Sequence, residues 1–187
     1  SVLIKANTRV VYTEAPGSLT FEMQDIPALV KAAHANGAVV IMDNTWAGPL
    51  YFKPLAHGVD ICIEAATKFI AGHSDLVMGV IAARTPELYK QIRAFCVQMG
   101  EIASADDCYM ALRGLRTLKV RMEAQYASAL ELARWLEQRP EGLAPFEFPR
   151  QCPVCGSPPP ITGPRAPSTV VKCAAACRCT FLTGASF

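Results

Sequence analysis

At 187 residues the chain is long enough to bury a core, and 51% hydrophobic against 18% charged residues describes a globular rather than a disordered protein. A formal net charge of +2 with no dense Lys/Arg cluster excludes an electrostatic binder of nucleic acid or membrane surfaces, and no apolar run reaches the roughly 18 residues of a membrane span. The chain opens at Ser1 without a methionine and without the charged lead and apolar core of a signal peptide, so a cytoplasmic fragment of a longer protein is expected.

Thr8 to Thr13 has the β-branched content of a strand and runs into a turn at Glu14-Ala15-Pro16-Gly17-Ser18. Asp25 stands where a helix N-cap belongs, with Pro27 in the first turn and Leu29, Val30, Ala32 and Ala33 spaced along one apolar face. Gly37 ends that helix. Ala38 to Met42 follows as a continuous apolar strand of the kind covered on both faces, and Asp43 closes it. Strand, helix and strand within about 35 residues predict a βαβ unit and a parallel pair.

Ile61 to Ala65 and Leu76 to Ala83 read as two more strands. In open sheets of this kind ligands bind beyond the carboxyl ends of the strands, where Asp43 and Lys68 fall. The pattern then turns helical from Pro86 to Met99, with Leu88, Ile92, Phe95 and Cys96 on one side. A second helix is expected from Ala105 to Leu112 and a third from Thr117 to Arg139, the last with a stripe of Leu118, Met122, Leu130, Ala133 and Leu136.

After Pro140 the periodicity is lost, and the proline density around Pro158-Pro159-Pro160 forbids a helix or a central strand. Cys62, Cys96 and Cys108 lie singly in apolar or helical surroundings and read as free thiols. The other five cysteines crowd into the last 36 residues. Cys152, Cys155, Cys173 and Cys177 approach a zinc-ribbon spacing, but nothing between them has a strand pattern to shape a ribbon. A shifted reading frame or a spurious extension explains that composition better, and no metal site is assigned.

Lys68 and Asp43 carry the candidate chemistry. A lysine amine can form a Schiff base with a carbonyl, and an aspartate can keep a pyridinium nitrogen protonated, which are the protein's two parts in pyridoxal phosphate chemistry. By residue type alone Lys68 is a surface lysine in a loop and Asp43 a turn cap. The words around them decide between these readings. Asp43-Asn44-Thr45-Trp46, Phe52-Lys53-Pro54-Leu55 with His57-Gly58-Val59-Asp60, Ala66-Thr67-Lys68-Phe69 with Gly72-His73-Ser74-Asp75, and Arg113-Gly114-Leu115-Arg116-Thr117-Leu118 resemble the Cys/Met-metabolism family of pyridoxal phosphate enzymes. Gly17 and Trp46 make the likeness strongest to its cystathionine β-lyase branch.

The resemblance, which covers about residues 8 to 140, implies an α/β fold: part of a fold-type I large domain with a mostly parallel sheet flanked by helices, over residues 1–116. Residues 117–140 would link it to a small domain, and residues 141–187 form a Pro/Cys-rich irregular tail outside the pattern. It implies pyridoxal 5'-phosphate as cofactor, Lys68 as Schiff-base lysine and proton carrier, Asp43 as partner of the pyridine nitrogen, and Thr67 as a phosphate ligand. Ala65 stands where the family usually has a second, serine ligand.

The implied reaction is β-elimination of L-cystathionine to homocysteine, pyruvate and ammonia, within transsulfuration and methionine biosynthesis. Full-length members are expected to be homo-oligomers, as tetramers. A γ-lyase or γ-synthase of the same family, and a non-catalytic remnant with a zinc-binding tail, stay open as alternatives. The fragment alone is expected to have little or no activity. His73 is expected to hold loop structure by hydrogen bonding, Trp46 to pack, and Arg113 and Arg116 to make salt bridges or carbonyl contacts.

Overall fold

The computed structural model describes residues 3–18 and 22–138. The order is β1 (Val10–Glu14), α1 (Ile26–Ala35), β2 (Val39–Asp43), α2 (Gly48–Tyr51), a 3-10 turn (Pro54–His57), β3 (Ile61–Ala65), β4 (Gly79–Ala83), α3 (Pro86–Met99) and α4 (Ala105–Glu137). The four strands form one sheet in the order β1-β2-β3-β4. β1 and β2 run parallel with Glu14 opposite Asp43, and β2 and β3 run parallel with Asp43 opposite Ile63.

α1 begins as its sequence demands. The Asp25 carboxylate accepts from the Ala28 amide at 3.0 Å, and Gly37 takes the left-handed φ of +70° that ends the helix. Ile26, Val30 and Ala33 face the sheet and bury against Val40 and Met42 of β2, with Ala15, Ala38, Phe52 and Val59 completing the core. Removing each large member of this group from water is worth roughly 1.5–3 kcal/mol.

The opposite face of the sheet is less covered. Val39, Ile41 and Asp43 are half-buried, Val10 is 51% exposed and Tyr12 60%. Expected burial of β2 on both faces therefore holds for one face only among the described residues.

β4 pairs antiparallel with β3, Ile63 opposite Ile81. The connection from residue 66 to residue 78 holds no helix, so the chain turns back along the edge instead of crossing over.

α3 has the predicted bounds, capped by Thr85, whose hydroxyl accepts from the Leu88 amide at 3.3 Å, and by Gly100. Leu88, Ile92 and Cys96 are its half-buried side, while Phe95, expected beside them, is 62% exposed. The two helices expected from 105 to 139 are one. α4 runs unbroken through 33 residues, about 50 Å of helix, with Ser104 capping the Asp107 amide. Gly114 does not stop it, because that glycine sits mid-helix without the positive φ of a terminator and packs against another part of the chain.

The buried polar hub at the amino ends of β2 and β3 is Asp60. Its Oδ2 accepts from the Val40 amide and from the His34 imidazole, both at 2.8 Å, and its Oδ1 accepts from Arg84 Nη2 at 2.6 Å and Nε at 3.1 Å. Burial alone would raise the carboxyl's pKa, but the Val40 amide, His34 and Arg84 together outweigh it and hold it below the ordinary aspartate value. A depressed folded-state pKa stabilises above the unfolded-state value and loses that contribution as pH falls. Asp60→Asn is therefore expected to cost about 2 kcal/mol near neutrality in urea unfolding, the deficit shrinking as the titration passes below the aspartate range.

The zinc-type cysteines and the tail beyond residue 140 lie outside the described residues. Among those described, no helix is long and apolar enough to cross a membrane, no His/Cys/Asp/Glu group is arranged to hold a metal, and Cys62, Cys96 and Cys108 are free thiols.

Candidate active site

The last residue of β2 is Asp43, half-buried, and the chain beyond it stays attached to β3. Asn44 N–H donates to the Ile63 carbonyl at 2.8 Å. Thr45 N–H donates to Asp43 Oδ1 at 2.9 Å, while Thr45 Oγ1 accepts from the Ala65 amide at 2.8 Å. One threonine thus ties the carboxylate at the end of β2 to the end of β3.

Beneath this bridge Asn44 is fully buried. Its Nδ2 donates to Gly48 O at 3.0 Å, Phe52 O at 3.1 Å and Glu64 Oε1 at 2.8 Å, closing the loop that carries α2, and its Oδ1 has no hydrogen-bond partner among the described residues. Glu64 is itself 8% exposed. Burial raises its pKa and outweighs the lowering by the Asn44 and Cys62 hydrogen bonds, and the nearby Asp43 charge adds a smaller rise. The Cys62 thiol, which donates to Glu64 Oε1 at 3.8 Å, is pushed up to about 12 by burial and then by Glu64 and Asp43.

A carboxyl raised in the folded state binds more protons there, so stability falls as pH climbs from the unfolded-state pKa through the folded one. Glu64→Gln keeps an oxygen for Asn44 and removes the charge. It is expected to raise the unfolding midpoint at about pH 8, with the gain gone at about pH 4.

Lys68 lies in the turn that follows β3. Lys68 N–H donates to Ala65 O at 3.0 Å, Ala71 N–H to Ala66 O at 2.8 Å and Gly72 N–H to Lys68 O at 2.8 Å, a coil of peptide bonds that holds the lysine outward. Its side chain is exposed and its amine makes no hydrogen bond or ion pair with the described residues. Parallel neighbours stand about 4.8 Å apart, so Asp43 and the root of the Lys68 turn share one end of the sheet.

Thr67 faces β4: its hydroxyl accepts from Met78 N–H at 2.9 Å and donates to Met78 O at 3.3 Å. Glu14, opposite Asp43 in register, accepts from Trp46 Nε1 at 3.2 Å and from the Ser18 hydroxyl at 2.9 Å. His73 holds the far side of the turn by donating from Nδ1 to Ala71 O at 2.6 Å.

α4 closes over the turn. Ala71 and Leu76 bury against Ala111, and Arg121 donates to Phe69 O, Ile70 O and Gly114 O. Arg113 and Arg116, expected to make such contacts, are exposed and make no hydrogen bond or ion pair among the described residues. The carbonyl-binding arginine is Arg121, seven residues beyond Gly114 on the same helix face. Asn44 and Thr45 stand in a motif singled out from sequence but without an expected role, and Glu64 and Arg121 were not singled out at all. A carboxylate inside the apolar run Ile61 to Ala65 was a signal for Glu64, whereas Arg121 left none.

The family model for Cys/Met metabolism PLP-dependent enzymes matches residues 1–148. An L-alanine/L-glutamate racemase of Wolbachia pipientis is 47% identical over 136 residues, covering 73% of this chain and 34% of the racemase. A cystathionine beta-lyase of Haemophilus influenzae is 43% identical over 143 residues, covering 75% of this chain and 36% of that enzyme. Among solved structures, cystathionine gamma-lyase from Lactobacillus plantarum, complexed with L-serine, superposes with a TM-score of 0.73 at 33% identity, over 74% of this chain and 36% of that one. The chain spans about a third of the length of these relatives. It belongs to the Cys/Met metabolism family of PLP-dependent enzymes, whose cofactor is pyridoxal 5'-phosphate.

Proposed function

We propose that this chain supplies the lysine-bearing part of a carbon–sulfur lyase that cleaves L-cystathionine by β-elimination to homocysteine, pyruvate and ammonia. The observation that carries the reading is the Thr45 bridge, which sets Asp43 and the Lys68 turn side by side at the carboxyl ends of two hydrogen-bonded parallel strands. Support for the β-reaction comes from the β-lyase relative and from Gly17 and Trp46.

The residues present fit the cofactor by their chemistry. Lys68 offers an amine bound to none of the described residues, and Asp43, whose carboxylate accepts from Thr45 N–H and from the Tyr12 hydroxyl, keeps further lone pairs to offer a pyridinium N–H. The 3.3 Å bond from Thr67 to Met78 O is long, and a phosphate oxygen is a stronger acceptor for the same proton. When bound, pyridoxal 5'-phosphate supplies the electron sink for charge developing at the substrate's α-carbon.

The chain's own part is then threefold. Lys68 Nζ would hold the cofactor covalently and, once the substrate's amine displaces it, would take the α-proton. Asp43 keeps a proton on the ring nitrogen by Coulombic attraction. The coil from Ala66 to Gly72 aims the amine, which is where rate is gained by orientation. Residues 1–116 belong to the cofactor-binding unit in this reading, and 117–140 lead out of it.

The racemase relative supports a second reading, in which Lys68 moves the α-proton and no C–S bond breaks. The γ-lyase structure supports cleavage one carbon further on. Incubating the chain with pyridoxal phosphate and L-cystathionine, or L-alanine, separates the three. Pyruvate supports β-elimination, 2-oxobutyrate γ-elimination, and D-alanine racemisation. The expected result is pyruvate, at a rate lowered by the two thirds of the relatives' length that this chain does not span.

A further inference from the structure

We propose that Arg121 is a positioning residue for Lys68: its guanidinium fastens the peptide units just after the lysine to the face of α4 at Gly114. The inference rests on the reading of Lys68 as the cofactor-holding amine. Three carbonyls converge on this one cation, Nη1 donating to Phe69 O at 2.9 Å and Nη2 to Ile70 O at 3.1 Å and Gly114 O at 2.8 Å. The fourth bond, from Nε to Thr117 Oγ1 at 3.0 Å, orients the fork, and Thr117 donates in turn to Gly114 O at 3.1 Å.

The surroundings are shaped to this group. A Cβ on Gly72 would lie 2.1 Å from Nη1, and Gly72 in addition has a φ of +73°; a Cβ on Gly114 would lie 2.4 Å from both Ile70 O and Ala71 O. Two glycines from elements 42 residues apart in sequence therefore leave the room that the guanidinium and its carbonyls occupy.

The carbonyls of Phe69 and Ile70 end a short coil of peptide dipoles, where positive charge is favoured. Several acceptors in different directions call for a planar fork and are not met by an ammonium, whose charge is a point on a flexible stem. Arg121 touches no reacting atom. It acts through the direction in which Lys68 leaves the backbone.

The test uses the full chain and the Arg121→Lys and Thr117→Val variants. Two quantities are read. One is hydrogen–deuterium exchange at the Ala71 and Gly72 amides, compared with the β2 amides. The other is the pyridoxal phosphate concentration that half-saturates borohydride-trapped label on Lys68. In Arg121→Lys, exchange at Ala71 and Gly72 is expected to rise about tenfold while β2 is unchanged, with a similar rise in the half-saturating concentration. Arg121→Ala is expected to recover protection and labelling with added methylguanidinium but not with methylammonium.

Unchanged exchange at Ala71 and Gly72, or acceleration equal throughout the sheet, would overturn the proposal. If Arg121→Lys does not fold, Thr117→Val gives the same reading, since it only unlocks the fork. A wild-type chain that takes no label while Arg121→Lys still loosens the turn would defeat the function assigned to Lys68 and leave the clamp standing.

Discussion

Replacing Lys68 with alanine is expected to remove saturable attachment of pyridoxal phosphate to the chain while leaving its thermal unfolding unchanged. The two halves of that expectation have separate grounds. Lys68 is exposed and its amine is bound to none of the described residues, so truncating it takes away no packing and no salt bridge; surface substitutions of this kind usually fall within about 0.5 kcal/mol. In the proposed reading the amine is also the nucleophile that holds the cofactor, and its loss removes that attachment.

Other exposed lysines, Lys5, Lys31, Lys53, Lys90 and Lys119 among the described residues, will react with the aldehyde at high concentration. The measurement that separates them is dose dependence, read by borohydride reduction and peptide mass. Attachment at Lys68 should saturate, whereas labelling elsewhere should rise in proportion to reagent. In Lys68→Ala the saturable component should fall by on the order of a hundredfold or more. An undiminished saturable label in that variant would mean the cofactor is held by another residue.

The second large effect is structural and has a contest of signs behind it. Alanine in place of a mid-helix glycine ordinarily gains about 1 kcal/mol, because glycine gives up more backbone freedom. At Gly114 the added Cβ would lie 2.4 Å from Ile70 O and Ala71 O and 2.7 Å from Ala71 Cα. All three are backbone atoms, pinned by the hydrogen bonds of the turn and by Arg121, so they cannot yield as the end of a flexible side chain would. Overpacking of this sort typically costs about 1–3 kcal/mol and occasionally more, and here it should exceed the propensity gain.

Gly114→Ala is therefore expected to lower stability by about 2 kcal/mol in urea unfolding. Gly79→Ala, where a Cβ meets nothing within 4 Å, serves as the comparison and should stay within about 0.5 kcal/mol. A Gly114→Ala variant more stable than wild type would show that α4 does not press on the turn.

What was legible in the sequence was local in origin. Asp25 capping α1, Gly37 ending it, the apolar run Ile61 to Ala65 and the span Pro86 to Met99 all follow from residues within a few positions of one another. Asp43, Thr67 and Lys68 became candidates through the words around them, and His73 makes the hydrogen bond expected of it.

What escaped was decided at a distance. The helices expected on either side of Gly114 are one, because that glycine packs against a turn more than 40 residues back. β4 was one more strand by composition, but its direction is fixed by a connection without a helix. α2 and the 3-10 turn hide in a Gly/Pro-rich stretch that reads as irregular, and they are held by the buried Asn44 amide from below. Arg121 resembled any solvent-facing cation of an amphipathic helix until the Phe69 and Ile70 carbonyls appeared opposite it.

The Thr45 bridge makes the spacing of the chemistry a property of strand registry. If β3 slid by a single residue along β2, the lysine would advance by about 3.3 Å and the strand's alternation would invert, so that Glu64 pointed where Ile63 now does. The amine and the carboxylate are thus each measured from the same rung of backbone hydrogen bonds. Attempts to move this chemistry to another scaffold would need to transplant that rung, with its threonine, before transplanting either charged group.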